Sequence, residues 1–311
     1  MTEVIRRVLD LEARDVSFLY AGEGPPVLLL HGTFWSRVWQ PVIPRIAGGN
    51  EVFAPDYPGF GHSGGRLGPE EAAVPALASL VLRFADSLGL GEFSAAGHDI
   101  GGAVAQHVAV LGRGRVKKLA LVNSVLYDSW PVPAVSRFRD PELARGISPE
   151  DLVELRKTSL RKAVAGELPA SEEEKYLSPW RTEDGTRSWT AMAAAADARY
   201  TQDLVGPLGD LGLPTLLVWG EEDEFQPIGY AERFEREMPN ARSSPSPTRA
   251  TSPCRTLPKG SAPSWPDSFG GRRGASRYRT APGFRGGRGP IGSWGNQATA
   301  PGIRGRCHAT P

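Results

Sequence analysis

Cysteine is scarce in this chain, and long apolar runs are absent. The two cysteines, Cys254 and Cys307, are too few for a disulfide framework and lack the spacing of metal ligands. No apolar stretch approaches the roughly 20 residues that a membrane helix needs, and the N-terminus lacks the basic-then-apolar order of a secretory signal. We therefore expect a cytoplasmic protein that does not enter a membrane and uses no metal ion or cofactor.

Acidic residues are almost missing from the C-terminal part of the chain. Residues 243–311 contain ten Arg and one Lys against a single acid, Asp267, although the whole chain has 35 acidic residues. This part is rich in Gly, Pro, Ser and Arg and shows neither strand nor helix periodicity, so we expect a basic, disordered tail. The preceding residues have the composition of a globular protein.

Strand-like and helical patterns alternate over residues 1–125, which is typical of a mostly parallel sheet covered by helices. The predicted strands are Arg7–Leu11, Val16–Tyr20, Val27–Leu30, Glu51–Ala54, Phe93–Ala96, Lys118–Val122 and, after residue 205, Pro214–Trp219. The predicted helices of this part are Ala72–Leu88, Ala103–Leu111 and about Ile228–Glu237. The prediction is an α/β core formed by residues 1–125 and 206–242.

Residues 126–205 interrupt this alternation. They predict helices over Pro149–Ala165, Glu172–Leu177 and Thr186–Thr201, with many aromatic residues among them. An insertion of this kind after a strand suits a helical cap over the edge of the sheet where open α/β folds bind ligands. We expect most of the aromatic side chains to form the core of the cap itself.

The most informative motif is a turn between a predicted strand and a predicted helix, Gly97-His98-Asp99-Ile100-Gly101-Gly102. Such a turn places its central side chain on a strained, exposed corner beside backbone N–H groups. Most chains with this strand–turn–helix motif carry a serine at the position of Asp99. A carboxylate there can attack carbon and form an ester that water must then hydrolyse, so the second step needs a base. The alternative is that Asp99 only caps the following helix.

Two further loops carry candidate catalytic groups. The strand Val27–Leu30 runs into a small-residue loop whose Thr33 N–H, opposite the N–H of Ile100, can stabilise an oxyanion. Acidic residues follow the strand Pro214–Trp219, and Asp223 has the best spacing to orient a histidine base. The alternative interpretation of this second loop is a solvated acidic loop.

Together these motifs resemble those of the α/β-hydrolase fold family, specifically the subgroup with an aspartate nucleophile that includes haloalkane dehalogenases and epoxide hydrolases. The resemblance covers about residues 5–242. It implies an eight-stranded, mostly parallel sheet with a helical cap after the sixth strand. It also implies Asp99 as nucleophile, Thr33 and Ile100 as oxyanion donors and Asp223 as the acid.

Two departures from the family pattern bear on the substrate. Ile100 replaces the tryptophan of dehalogenases and many epoxide hydrolases and cannot donate an indole N–H to a halide. Epoxide hydrolases usually present two cap tyrosines, and spacing does not fix which ones they are here. We expect epoxide hydrolase-like chemistry on a small apolar molecule, with haloalkane or haloacid dehalogenation as the alternative. The candidate substrate-binding residues are Phe34, Trp35, Tyr127, Trp130 and Tyr200.

The resemblance also implies a histidine base on a loop soon after the acid, but no histidine occurs between His107 and His308. With GC-rich codons assumed from Arg242 onward, reading across codon boundaries gives LVAVPDAGHFAVQDAPEGERAELAGLLRG. That string predicts a strand, a Gly-His-Phe loop and an amphipathic helix. We therefore expect residues from about 243 to be translated out of frame, so that the last strand, the last helix and the general base are missing.

Two alternatives from other classes remain open. The segment Phe284-Arg285-Gly286-Gly287-Arg288-Gly289 resembles Arg-Gly segments that bind RNA. GC-rich DNA read in a wrong frame also gives such sequence, and we expect a small-molecule substrate rather than a nucleic-acid partner. A non-enzymatic receptor on the same fold is the other alternative.

Overall fold

The computed structural model describes residues 2–164 and 166–244, together with the backbone of a two-residue strand at 284–285. The strands are β1 (Ile5–Leu11), β2 (Arg14–Ala21), β3 (Pro26–Leu30), β4 (Glu51–Pro55), β5 (Phe93–Asp99), β6 (Val116–Ser124), β7 (Thr215–Val218), β8 (Ala241–Ser243) and β9 (Phe284–Arg285). They form one sheet in the order β8-β7-β6-β5-β3-β4-β2-β1-β9. The strands from β3 to β8 are parallel to their neighbours, except where β4 meets β2. The prediction of a mostly parallel α/β-hydrolase sheet is confirmed.

Helices connect these strands. The α-helices are α1 (Ile43–Ile46), α2 (Val74–Ser87), α3 (Ile100–Leu111), α4 (Pro133–Ser136), α5 (Pro141–Gly146), α6 (Pro149–Ala163), α7 (Ala170–Leu177), α8 (Glu183–Ala194), α9 (Arg199–Gln202), α10 (Val205–Asp210) and α11 (Ile228–Glu237). Short 3₁₀ helices lie at Ser36–Trp39, Arg137–Arg139 and Ser178–Arg181. Within the described ranges, no helix is both long enough and apolar enough to cross a membrane.

The centre of the sheet is built from strands that are apolar on both faces. In β3, every residue from Val27 to Leu30 is fully buried, as expected for a parallel strand covered by helices on each side. Helix α2 contributes an apolar stripe, in which the ring of Phe84 contacts that of Phe18 edge-on at a centroid distance of 5.3 Å. The core therefore lies between the sheet and the helices.

The helices α4 to α10 lie between β6 and β7, where the sequence predicts a cap. Several of its aromatic residues form its own core, since Phe138, Trp180 and Trp189 are buried and the rings of Phe138 and Trp189 meet edge-on at 5.1 Å. The predicted helix Thr186–Thr201 is interrupted after α8, because the Asp197 carboxylate accepts a hydrogen bond from the N–H of Arg199 and begins a new turn there. The division of the chain at residues 125 and 205 stays a prediction.

The prediction that the last strand is missing requires a correction. Residues Ala241–Ser243 form β8, which pairs in parallel with β7, and the N–H of Ser244 donates to the carbonyl of Leu217 at 2.8 Å. A strand begins here because Ala241 is fully buried at the edge of the core. The predicted loss of the last helix and disorder of the tail fall outside the described residues, apart from β9, whose backbone pairs with β1.

Candidate active site

Asp99 occupies the corner between β5 and α3. Its backbone has φ 56° and ψ −129°, a conformation that is strained for a residue with a side chain and that marks functional turns. The side chain makes no capping hydrogen bond to α3. The alternative that Asp99 serves only as a helix cap is therefore wrong.

Glycines let the backbone close tightly around this corner. A Cβ atom on Gly101 would lie 2.3 Å from the carbonyl oxygen of Leu30, and a Cβ atom on Gly32 would lie 2.5 Å from Asp99 Oδ2. Neither position can hold a larger residue without a shift of the neighbouring groups. The ends of β3 and β5 are thereby brought together at the carboxyl edge of the sheet, where α/β folds place ligand sites.

Thr33 holds one oxygen of the Asp99 carboxylate. Its backbone N–H donates to Asp99 Oδ2 at 2.9 Å, and its hydroxyl donates to the same oxygen at 2.7 Å. Every hydrogen bond that the described residues donate to this carboxylate goes to Oδ2, so Oδ1 remains available for attack. Ile100 begins α3 and lines the same cavity, and the role of its N–H as a second oxyanion donor stays a prediction.

The loop that carries Thr33 is fixed from below by buried polar groups. His31 Nε2 accepts a hydrogen bond from the N–H of Tyr57 at 3.1 Å, which leaves His31 Nδ1 to donate to the carbonyl of Gly32 at 2.9 Å. Burial lowers the pKa of His31 and favours this neutral form. Asp56 accepts from the N–H of Ser36 at 2.8 Å. His31 therefore positions the loop.

Asp223 follows β7 at the same edge of the sheet. It is buried, whereas Glu221, Glu222 and Glu224 around it are exposed, so a wholly solvated acidic loop is not what the structure contains. Its Oδ1 accepts hydrogen bonds from the N–H groups of Phe225 and Gln226, both at 2.7 Å. Burial nevertheless raises the pKa of Asp223 to about 6.

Asn123 is a site residue that the sequence interpretation missed. It lies in β6, between the strands that carry Asp99 and lead to Asp223, and its amide Nδ2 donates to Asp223 Oδ2. In the described ranges no histidine donates to Asp223. Asn123 is a polar residue near the carboxyl end of β6, and β6 neighbours the strand that leads to Asp223. A polar residue in that position was the signal in the sequence.

A cavity of about 120 Å³ connects these groups. Asp99, Asn123 and Asp223 lie in its wall on the side of the sheet. Of the predicted substrate-binding residues, Phe34 and Trp130 line it; the indole N–H of Trp130 is already donated to the hydroxyl of Thr201 at 2.8 Å. The remaining wall is mainly apolar, and most of it comes from residues between 130 and 189.

Three predicted substrate-binding residues lie outside this wall, and their assignment needs correction. The hydroxyl of Tyr127 donates to Glu237 at 2.8 Å, which directs it away from the cavity. Tyr200 packs near His107, whose Nε2 bonds to the Tyr200 carbonyl at 2.8 Å. The indole N–H of Trp35 donates to the carbonyl of Tyr176 at 3.2 Å. A different tyrosine, Tyr176 in α7, does line the cavity.

Arg156 is the second site residue that was missed. It lies on α6 and lines the cavity, with only 4% of its surface exposed. Its Nη2 donates to both the carbonyl and the hydroxyl oxygen of Thr33 at 3.2 Å. Leu152, Arg156 and Leu160 follow one another at the spacing of one helical turn, so a charge on an otherwise apolar helix face was the signal in the sequence.

Possible metal ligands do not cluster in the described part of the chain. Among residues 2–164 and 166–244, no three His, Cys, Asp or Glu side chains come together as a metal site would require. The polar groups of the cavity instead form two carboxylate centres, Asp99 with Thr33 and Asp223 with Asn123. Such an arrangement can perform nucleophilic chemistry with the protein's own side chains.

Known proteins share this architecture. The chain is 27% identical over 230 residues to pimeloyl-[acyl-carrier protein] methyl ester esterase of Nitrosomonas europaea, covering 71% of this chain and 86% of that protein. It is 28% identical over 246 residues to haloalkane dehalogenase 2 of Mycobacterium tuberculosis, covering 75% and 84%. The solved epoxide hydrolase CorEH superposes with a TM-score of 0.65 at 22% identity, covering 78% and 89%, which shows the shared fold.

The match to a family model covers most of the chain. The sequence profile of the alpha/beta hydrolase fold matches residues 25–247, which include β3, the Asp99 corner, the cap and the Asp223 loop. The matched residues include the strands β3 to β8 and the residues that line the cavity. This chain is a member of the α/β-hydrolase fold family, and the relatives named above identify it as a hydrolase.

Proposed function

We propose that this protein acts on a small apolar molecule through a covalent alkyl ester on Asp99, in the manner of an epoxide hydrolase. The observation that carries this proposal is the state of the Asp99 carboxylate. One oxygen is held by two hydrogen bonds from Thr33, no donor among the described residues bonds the other, and Asp99 lines a cavity whose wall is mainly apolar. A held and oriented carboxylate is the form that an attacking nucleophile needs.

The first chemical step follows from this arrangement. Asp99 Oδ1 forms a bond to the electrophilic carbon while the epoxide carbon–oxygen bond breaks, and the electron pair of that bond stays on the oxygen. In the second step water attacks the ester carbonyl, and the oxygen held by Thr33 becomes the oxyanion. We assign the N–H groups of Thr33 and Ile100 to its stabilisation and Asp223 to the orientation of a base.

No histidine among the described residues bonds Asp223, so the second step has no base in this part of the chain. We propose that residues from about 243 onward are read in another frame. Three observations support this proposal: the acidic residues nearly disappear after residue 242, the family match ends at residue 247, and β8 begins at Ala241 in the position of a strand that the other frame would continue with Leu-Val-Ala-Val. The expected consequence is an ester that forms and is not released.

A second candidate reaction is haloalkane dehalogenation. It is favoured by the 28% identity to haloalkane dehalogenase 2, whereas Ile100 in place of a tryptophan argues for the epoxide. Both reactions form the same type of ester. They differ in whether the leaving atom departs as a halide or stays on the product as a hydroxyl group.

Mass spectrometry of the intact protein tests the proposal. The encoded chain is incubated with 1,2-epoxyhexane and, separately, with 1-bromohexane, and a covalent adduct is expected on the peptide that contains Asp99. The Asp99→Asn variant should give no adduct because its amide is a poor nucleophile. Sustained release of hexanediol or hexanol by the encoded chain, or adducts that survive in Asp99→Asn, would contradict the mechanism.

The reading frame is tested separately at the gene. The bases after codon 242 should contain an open frame that encodes Gly-His-Phe shortly after the strand. A protein repaired to that frame should release the product and lose the accumulated adduct, because it regains the base. A gene with no such frame would refute the proposed frame change and leave the test of Asp99 unaffected.

A further inference from the structure

Arg156 is deeply buried and forms no direct ion pair with an acidic residue in the described part of the chain. Its guanidinium lies 4.3 Å from the ring centre of Phe34 and 5.2 Å from those of Trp180 and Trp189. Aromatic faces attract a cation but do not replace a carboxylate as its partner. Burial lowers the pKa of Arg156 to about 10, so the side chain remains charged at neutral pH.

The hydrogen bonds of Arg156 are incomplete. Those that it makes to the described residues come from Nη2 and end on the two neutral oxygens of Thr33. Its Nε is buried and has no hydrogen-bond partner among residues 2–164 and 166–244, and the same holds for the indole Nε1 of Trp189, a residue that also lines the cavity. A buried cation with unused donors is costly unless an anion compensates it.

The negative charge that supports Arg156 belongs to Asp99. The two side chains are linked through the Thr33 hydroxyl, which accepts from Arg156 and donates to Asp99, and the Asp99 charge raises the pKa of Arg156 against the effect of burial. Once Asp99 has become an ester, this charge is gone. The same step places a negative charge on the leaving atom inside the same cavity.

We propose that Arg156 is a catalytic residue that binds the leaving group of a neutral substrate as its negative charge develops. The inference rests on the proposed ester chemistry. As Asp99 Oδ1 bonds to carbon, the carbon–halogen or epoxide carbon–oxygen bond breaks and its electron pair stays on the leaving atom. That anion becomes the counterion of Arg156; a halide then departs, and an alkoxide takes a proton from water. Arg156 thereby supplies the contact that Ile100 cannot make.

The charges in the cavity wall also define the substrate class. Asp99 and Asp223 place two acids in this wall, and Arg156 is the only Arg or Lys among the described residues that line it. A substrate with its own carboxylate would add a third acid and would compete for Arg156 before the reaction begins. The cavity therefore suits neutral epoxides and haloalkanes and disfavours haloacids.

Bromide binding tests this inference without any turnover. In Asp99→Asn the charge of the nucleophile is removed, as it is in the ester, so this variant should bind bromide at least about tenfold more tightly than the wild type in chloride-free buffer. Calorimetry and quenching of tryptophan fluorescence measure the affinity. Adding Arg156→Met should abolish binding, whereas adding Arg233→Met should not, because Arg233 stacks on Tyr127 outside the cavity.

The outcomes separate this inference from the proposed function. Equal bromide binding with and without Arg156, or none in Asp99→Asn, would overturn the role of Arg156 even if ester adducts form. Absence of adducts on wild-type Asp99 would instead overturn the proposed function. Circular dichroism checks folding, and Arg156→Gln, for which the same loss is expected, replaces Arg156→Met if that variant does not fold.

A leaving-group series gives a second measure. With 1-chlorohexane, Arg156→Gln should slow adduct formation on Asp99 by about 100-fold, because chloride is a poor leaving group and depends on charge stabilisation. With 1-iodohexane the decrease should be about threefold. An equal decrease for both halides would show that Arg156 only maintains the structure of the cavity.

Discussion

Asp99 and Asp223 are carboxylates at the ends of strands in one sheet, and both face the same cavity, yet their surroundings differ. Asp99 receives two hydrogen bonds on one oxygen and lies near the buried cation Arg156. Both carboxylate oxygens of Asp223 accept hydrogen bonds from neutral donors, and burial raises its pKa to about 6. These differences support the two roles proposed above, attack on carbon for Asp99 and orientation of a positively charged base for Asp223.

The largest effect is expected from adding a methyl group at Gly101, next to Asp99. A Gly101→Ala change places a Cβ atom 2.3 Å from the Leu30 carbonyl oxygen, so the end of β3 and the first turn of α3 must move apart. We expect the free energy of unfolding to fall by roughly 3 kcal/mol and adduct formation on Asp99 to be lost. Urea titration and mass spectrometry measure the two effects.

The control for this prediction is a second glycine-to-alanine variant, at a position that follows Asp223 in the chain. A Cβ atom on Gly229, in α11, meets nothing within 4 Å. Gly229→Ala should therefore stabilise the protein by about 0.5–1 kcal/mol through the lower entropy of the unfolded chain. Equal behaviour of the two variants would remove the contrast between the tightly closed Asp99 corner and the region around Asp223.

A smaller effect is expected from neutralising Asp223. Its pKa is raised from 3.8 to about 6 on folding, so the folded state binds the proton more tightly than the unfolded state. This contribution to stability is fully present below pH 4 and is lost as the pH rises through 6, which amounts to about 2–3 kcal/mol. In Asp223→Asn that loss should be absent. Urea titrations of both proteins at pH 4 and pH 8 check it; an unchanged pH dependence in the variant would contradict the assignment.

The smallest effect concerns an aromatic residue outside both centres. Tyr127→Phe removes the hydrogen bond to Glu237 near the surface and no contact with the cavity. We expect a loss of about 0.5–1 kcal/mol in the free energy of unfolding and less than about a twofold change in adduct formation. Phe34→Ala, which opens the cavity wall, should change adduct formation much more. A strong effect of Tyr127→Phe would restore Tyr127 as a substrate contact.

The parts of the site that follow a strand directly were accessible from the sequence. Thr33, Asp99 and Asp223 each come within a few residues of a predicted strand, and the parallel arrangement brings such positions to one edge. The same rule predicted the sheet and the cap. Patterns of apolar and polar residues identify where a strand ends, and a residue directly after that end lies at the carboxyl edge of the sheet.

The parts that depend on side-chain direction were not accessible in this way. Trp35 and Tyr127 have the aromatic character expected of a substrate pocket, but their polar atoms bond elsewhere. Arg156 reaches Thr33 from more than a hundred residues away, and Asn123 reaches Asp223 across a similar distance in sequence. Contacts between a cap and a sheet depend on how the two pack, which a local pattern does not contain.

The contact between Gly32 and Asp99 also bears on how such a site can change in evolution. A Cβ atom on Gly32 would lie 2.6 Å from the Cβ atom of Asp99, and every nucleophile with a side chain has that same Cβ atom. Glycine at position 32 is thus required whichever nucleophile occupies position 99. The steric requirement at position 32 is therefore set by the backbone of the corner and does not depend on the chemistry of the side chain at position 99.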